Sequence, residues 1–259
     1  MRISRDRSRQ IRFMDSHGTK KIEISWEDGA GMTAVNEFMN GFYILDDGRV
    51  RQFLIVGEQD ALLVDTGFED GHVMEAVRSV TSLPVRVIMT HGDRDHTGGL
   101  KAFGECFMHP KDWHLVSGNI TLHPLKEGDM FSCGGYRLEV IEIPGHTYGS
   151  VAFLDREKKL LLPGDSVQKD GPIYMFGSHR NLDLYIESQK KLLERKDEIE
   201  TILPCHHTCP IDAGYIEKNL RDAEALRDKT LPGEPHPSMP CFCYRGQWTE
   251  FYYNTPEAK

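Results

Sequence analysis

The chain has no run of about 18 apolar residues, the length a membrane-spanning helix needs, so no membrane partner is expected. It has no surplus of positive charge either: 31 Lys and Arg stand against 40 Asp and Glu, a formal net charge of −9. Nucleic-acid phosphates call for a basic surface, so a nucleic-acid partner is not expected. The first residues are basic, but no apolar stretch follows them. No secretion signal is read there, and a cytoplasmic location is expected. Residues 1–20 read as a frayed basic tail and residues 21–259 as one domain. Cysteine is scarce, with six in 259 residues, and without an export signal these read as reduced thiols rather than a disulfide framework. Cys205-x-x-x-Cys209 and Cys241-x-Cys243 lack the two-residue gap usual for a zinc site. Internal repeats and low-complexity tracts are absent.

What remains is a composition with 39% hydrophobic and 27% charged residues, suited to a globular protein with a substantial core. Short apolar runs ending in Gly, Asp or Pro dominate the first two thirds. Strands are predicted at Phe42–Leu45, Phe53–Val56, Ala61–Val64 and Val85–Met89, with a helix over Asp70–Val80 whose Val73, Ala76, Val77 and Val80 share a face. A strand–helix pair follows at Cys106–Met108 and Pro110–Val116. A β-rich stretch then covers Met130–Phe131, Tyr136–Ile143, Val151–Leu154 and Leu160–Leu162. Helices are predicted at Leu184–Glu194 and Ala213–Arg227, and a closing strand pair at Phe242–Arg245 and Trp248–Tyr253. Helices should therefore cover sheet on each side. Ser166–Asn181 reads as a non-periodic insert.

The Val85–Met89 strand runs into Thr90-His91-Gly92-Asp93-Arg94-Asp95-His96-Thr97-Gly98-Gly99. Four candidate metal ligands fall within six residues, on a loop whose glycines permit close approach. Surface loops carry Asp and His by chance, but the combination of apolar strand, H-x-D-x-D-H and Gly-Gly is far harder to obtain that way. Three further strands each end in one candidate ligand: His146 after Pro144-Gly145, Asp165 after Pro163-Gly164, and His206 after Leu203-Pro204-Cys205. Singly, each is more often a solvated loop residue. Together, at strand ends that a sheet brings to one edge, they point to a single polar site.

This set resembles the metallo-β-lactamase-fold superfamily, whose first motif is H-x-H-x-D-H. Val64-Asp65-Thr66-Gly67 resembles its early strand-end Asp-x-Gly, and Pro144 to Ser150 its P-G-H-T-x-G-S loop. Gly164-Asp165 resembles its bridging aspartate, and Leu203-Pro204-Cys205-His206 its terminal P-G-H with Cys for Gly. The resemblance implies an α/β fold, a four-layer αββα sandwich in a single domain. It implies a first metal on His91, Asp93 and His146, and a second on Asp95, His96 and His206, with Asp165 bridging. His207 is the rival of His206. Asp65 would orient a ligand rather than bind metal. Metal-activated water would then hydrolyse a small-molecule ester, thioester or lactone, with Asp95 accepting a proton. Cys205 reads as a small residue in a tight turn, not a nucleophile. Tyr148, Tyr174, Phe176, His179 and Arg180 are candidates for the substrate pocket. Arg180 either pairs with an anionic substrate group or caps and salt-bridges the helix near Leu182. A small homo-oligomer is the ordinary expectation.

Asp93 departs from the pattern, standing where the motif has its second histidine. A hard oxygen there shifts preference from zinc towards iron or manganese. Reaching the metal only through water would leave the first site weak and the centre mononuclear. A carboxylate at that position also resembles the flavo-diiron proteins, whose di-iron centre reduces dioxygen or nitric oxide. That redox alternative needs a separate flavoprotein partner, because too little chain follows His206 for a flavin domain. A single-iron dioxygenase related to the persulfide-oxidising branch is another redox reading, and a scaffold with a degenerate site is a third class. Six of the seven ligand positions keep the usual residue type, which counts against a scaffold.

Overall fold

The computed structural model of the chain describes residues 8–14, 20–26 and 32–254. Among them, nine strands form one sheet in chain order: β1 (Ser8–Met14), β2 (Lys20–Trp26), β3 (Met32–Met39), β4 (Phe42–Asp46), β5 (Arg51–Val56), β6 (Ala61–Val64), β7 (Val85–Ile88), β8 (Glu105–Met108) and β9 (Thr121–Pro124). Neighbours from β1 to β6 are antiparallel, and those from β6 to β9 are parallel. Helices α1 (Val73–Val80) and α2 (Arg94–Thr97) belong to this half. A six-stranded sheet orders as β10 (Met130–Cys133), β11 (Tyr136–Glu142), β12 (Val151–Asp155), β13 (Leu160–Leu162), β15 (Thr201–Ile202) and β16 (Ile211–Asp212). A third, four-stranded sheet joins β14 (Pro172–Met175) to β19 (Glu250–Tyr253), β18 (Phe242–Arg245) and β17 (Gly233–Pro235). Helices α3 (Leu182–Glu194) and α4 (Gly214–Arg227) complete the molecule.

The layers follow from period-two alternation. Along β5 and β6, Phe53, Ile55, Leu62 and Val64 join one buried cluster with Leu138, Val140, Val151, Phe153, Leu160 and Leu162 of the second sheet. The intervening Leu54, Ala61 and Leu63 face the other way and pack with Val73, Ala76 and Val77 of α1. On the second sheet, Ile141, Ala152, Leu154 and Leu161 turn outward to Leu192 of α3 and Ile216 of α4. Strands buried on both faces read as continuous apolar runs, as these do. Two sheets face to face with helices outside each give the αββα sandwich. Truncating a residue such as Leu162, fully buried between the sheets, would cost about 2–5 kcal/mol.

Two expectations change. The stretch 1–20, read as a frayed tail, contains β1 paired in register with β2, while residues 1–7 and 15–19 lie outside the described residues. The insert Ser166–Asn181 contains β14, which pairs in parallel with β19, each residue meeting one 78 positions downstream, from Pro172↔Glu250 to Met175↔Tyr253. Only a long-range partner makes this short segment a strand, so no local periodicity announces it.

Candidate functional site

Parallel pairing of β6 with β7 sets Val64 opposite Ile88, so the residues after these strands emerge side by side. Asp65 thus accepts from the Thr90 backbone at 2.7 Å and from the Thr90 hydroxyl at 2.7 Å. It adopts a left-handed φ of 62°, a conformation Asp tolerates better than most side chains. In the second sheet, β13 and β15 are parallel and deliver Asp165 and His206 from adjacent strand ends. The sheets are stitched at this edge by Val151 N–H donating to Thr90 O (2.8 Å) and Arg51 N–H to Cys205 O (2.9 Å). Gly98 and Gly99 serve the loop after Asp65, not a ligand: an added Cβ would lie 2.3 Å from Glu69 N or 2.4 Å from Thr66 O.

All seven predicted ligands converge. Asp95, His96, Asp165 and His206 place one ligand atom each within 4.8 Å of one another, and so do His91, Asp93 and His146. In the first of these groups, Asp95 Oδ2 lies 3.1 Å from His206 Nε2 and 3.6 Å from His96 Nε2. Asp165 lies 3.3 Å from His96 Nε2 and 3.4 Å from His206 Nε2. Nitrogen or oxygen ligands on a tetrahedral zinc-sized ion stand roughly 3.3–3.6 Å apart. Asp165 also comes within 3.6 Å of His146 Nε2, between the two groups. His206 rather than His207 enters the cluster; His207 is exposed.

The imidazoles are oriented for their Nε2 atoms to accept or ligate. His96 Nδ1 meets Asp65 Oδ2 at 2.9 Å, His206 Nδ1 meets Arg49 O at 2.7 Å, and His146 Nδ1 meets Tyr174 O at 3.0 Å. His91 Nδ1 meets Thr90 Oγ1 at 2.9 Å, and that hydroxyl spends its proton on Asp65. Each Nδ1 therefore carries the proton and each Nε2 presents a lone pair inward. His91 Nε2, His96 Nε2 and Asp165 Oδ1 are buried with no hydrogen-bond partner among the described residues. Such orphaned acceptors beside carboxylates fit a cation. Burial opposes charge on His206, yet Asp165 and Asp95 raise it to about 10: their negative charge draws a cation to this point, a proton on Nε2 or a metal ion in its place.

Arg180 stands apart from expectation. Its side chain is 7% exposed, and its guanidinium lies against Asp93 Oδ2 at 2.5 Å, His146 Nε2 at 2.9 Å and His146 O at 2.6 Å. Burial and this arginine pull His146 down to about 4, so its ring is neutral. The cap of α3 belongs instead to Asn181, whose side chain accepts from Leu184 N–H. His179 Nε2 is 3.4 Å from Asp93 Oδ1. Tyr174 is 38% exposed, with its ring 5.8 Å from Phe176. Tyr148 is half-buried and makes no hydrogen-bond or ring contact with the cluster among the described residues. Cys205 is fully buried, and burial pushes its thiol up, which leaves it protonated rather than nucleophilic. All six cysteines are free.

Asp112 is a residue that its sequence surroundings do not single out. Fully buried, it accepts from Gly92 N–H (2.9 Å), Thr147 Oγ1 (2.6 Å) and Gly149 N–H (2.8 Å), tying the His91 loop to the His146 loop. Its neighbours are 20 to 37 residues away in sequence, and an acidic residue in a short helical turn carries no local sign of such a role.

No described helix is long and apolar enough to cross a membrane. Comparison with known proteins gives a consistent picture. The chain is 28% identical to the acyl-coenzyme A thioesterase MBLAC2 of Gallus gallus, over 61% of this chain and 72% of that protein. It is 30% identical to a hydroxyacylglutathione hydrolase of Bdellovibrio bacteriovorus, over 72% of this chain and 71% of that one. Among solved structures, a metallo-beta-lactamase from Pontibacter korlensis superposes with a TM-score of 0.61 at 17% identity, covering 83% of this chain and 99% of that one. The family profile described as the metallo-beta-lactamase superfamily matches residues 45–206, the span that holds β5 to β15 and all seven converging residues, and the chain is a member of that superfamily.

Proposed function

We propose that this metallo-β-lactamase-fold hydrolase cleaves a thioester of a small-molecule thiol carrier. The observation that carries the hydrolytic reading is the set Asp95, His96, Asp165 and His206, with ligand-spaced atoms, Nε2 atoms turned inward, and His96 Nε2 and Asp165 Oδ1 buried without a hydrogen-bond partner among the described residues. The thioester class is supported by the relatives, which are named for acyl-coenzyme A and hydroxyacylglutathione hydrolysis. Asp95, His96, Asp165 and His206 would hold a divalent ion. When bound, the ion supplies Lewis acidity, making hydroxide available near neutral pH and polarising the substrate carbonyl.

The chain's own residues do the rest. Asp65 fixes the His96 ring and, through Thr90, the His91 ring, so neither has to reorganise. Asp95 is the most accessible carboxylate of its set, with 25% side-chain exposure against 10% for Asp165. Its carboxylate would accept a proton from an attacking water. Tyr174 and Phe176 offer an exposed aromatic edge beside His146 for the acyl or carrier group.

The test is thiol release from acyl-coenzyme A and S-acylglutathione substrates, followed with a thiol-reactive chromophore, before and after chelation and metal restoration. Release that disappears on chelation and returns with zinc or manganese is expected. A folded, metal-replete protein that releases no thiol from either panel would sink the thioester assignment.

A further inference from the structure

We propose that Arg180 occupies the place of the first metal, so that this chain holds one ion, at Asp95, His96, Asp165 and His206. The inference rests on the metallohydrolase reading above but not on its substrate. Three hydrogen bonds carry it. Arg180 Nη2 donates to Asp93 Oδ2 at 2.5 Å, while Nη1 donates to His146 Nε2 at 2.9 Å and to His146 O at 2.6 Å.

The contact with His146 is exclusive. Its Nδ1 faces the Tyr174 carbonyl, which only accepts, so Nδ1 bears the proton and Nε2 has a single lone pair. A guanidinium has no acceptor and is never deprotonated, so that lone pair is used by Arg180 or by a metal ion, not by both. With His146 taken and Asp93 Oδ2 paired to Arg180, His91 and the shared Asp165 remain, fewer than the three protein ligands a catalytic ion usually has. A guanidinium is a permanent cation, and a divalent ion bound against it would be repelled.

The arginine is held there by its surroundings. Next to it, Asn181 donates its N–H to Gly145 O at 2.8 Å and caps α3 with its side chain, fixing the backbone on either side of the His146 turn. The side chain is 7% exposed. Asp93 then has a reason other than metal preference. A histidine at this position would leave the buried guanidinium without an anion, whereas the carboxylate pairs with it and the two charges cancel. His179 Nε2 on the other oxygen, at 3.4 Å, completes the surroundings of Asp93. The departure from H-x-H-x-D-H and the burial of Arg180 are thus one feature.

The test is zinc stoichiometry of the full chain, by elemental analysis after chelator stripping, reloading with excess zinc and gel filtration. Wild type should retain one zinc per chain, and Arg180→Ala should retain two. Cobalt(II)-loaded wild type should show an isolated high-spin signal in electron paramagnetic resonance, without exchange coupling between neighbouring ions. Arg180→Met keeps the bulk of the side chain without its charge and should also take two ions, should the alanine variant fail to fold. Two zincs in wild type, or exchange-coupled cobalt, would overturn the proposal. So would one zinc in a variant that folds by circular dichroism. No zinc in wild type would overturn the metallohydrolase reading as well. One zinc with no thiol release would remove only the substrate assignment.

Discussion

The two halves of the polar cluster are built from the same residue types and reach opposite electrostatic solutions. At Asp95, His96, Asp165 and His206, carboxylates face imidazole Nε2 atoms, and His96 Nε2 and Asp165 Oδ1 are buried without a partner among the described residues. At His91, Asp93 and His146, a guanidinium from another element satisfies the carboxylate and one of the two imidazoles. The strand β11 shows the second solution in an ordinary structural setting: Glu139 is closed off by bidentate contacts from Arg195 and Arg156 and asks for nothing more. A buried carboxylate is therefore a ligand or half of an ion pair according to whether the fold brings a cation to it.

The sharpest way to break this contrast is to truncate one histidine from each half. His96→Ala should abolish bound zinc and lower activity by more than the roughly 100-fold that loss of an outer partner costs. His91→Ala should keep one zinc per chain. Equal loss of metal in both variants, measured by elemental analysis, would erase the distinction.

Asp112→Ala addresses the scaffold of the Arg180 half. It strands Gly92 N–H and Gly149 N–H in the interior and leaves the Thr147 hydroxyl only its Ser150 partner, which should cost about 3 kcal/mol. Urea unfolding should show a lower midpoint with an unchanged slope. Asp65→Asn bears on the other half, where His96 would lose its charged acceptor. Zinc affinity should fall roughly 10- to 100-fold, read by competition with a chromophoric chelator, while stoichiometry stays the same.

The smallest effect is expected at the self-contained cluster. Burial opposes its charge, but the hydrogen bonds of Arg195 and Arg156 lower Glu139 from its ordinary 4.5 to about 2. A depressed carboxylate stabilises the fold fully above its unfolded value and loses that contribution as pH falls through the window from 4.5 to about 2. Arg195→Ala should cost about 1–2 kcal/mol at neutral pH, and the difference in melting temperature from wild type should shrink across that acidic window. A difference independent of pH would show that Arg195 acts through packing alone.

Much of the fold and of the site is legible in the residues alone. The strands at Ala61–Val64 and Leu160–Leu162 have their predicted limits, and those around Val85 and Val151 lie within a residue of them, because apolar residues dominate each of these runs. The helix predicted from Asp70 begins only at Val73, since Gly71 and His72 turn the chain first, His72 with φ 52°. The seven converging residues are readable because each follows a strand end, and parallel strands deliver such ends to a common edge. Asp112 and Arg180 are harder to place. Asp112 joins loops distant in sequence, and an arginine just before a helix looks the same whether it faces solvent, a substrate or a buried carboxylate. The strand β14 is hidden for a related reason: its partner lies at the far end of the chain.

By itself, then, the sequence determined the layers, through period-two burial, and the chemistry, through the residue types at four strand ends. Only the tertiary structure decided the charge balance at the site. Which cation neutralises Asp93 depends on where α3 begins against the His146 turn, and Coulomb attraction and hydrogen bonding act over a few ångströms of space, whatever the separation along the chain.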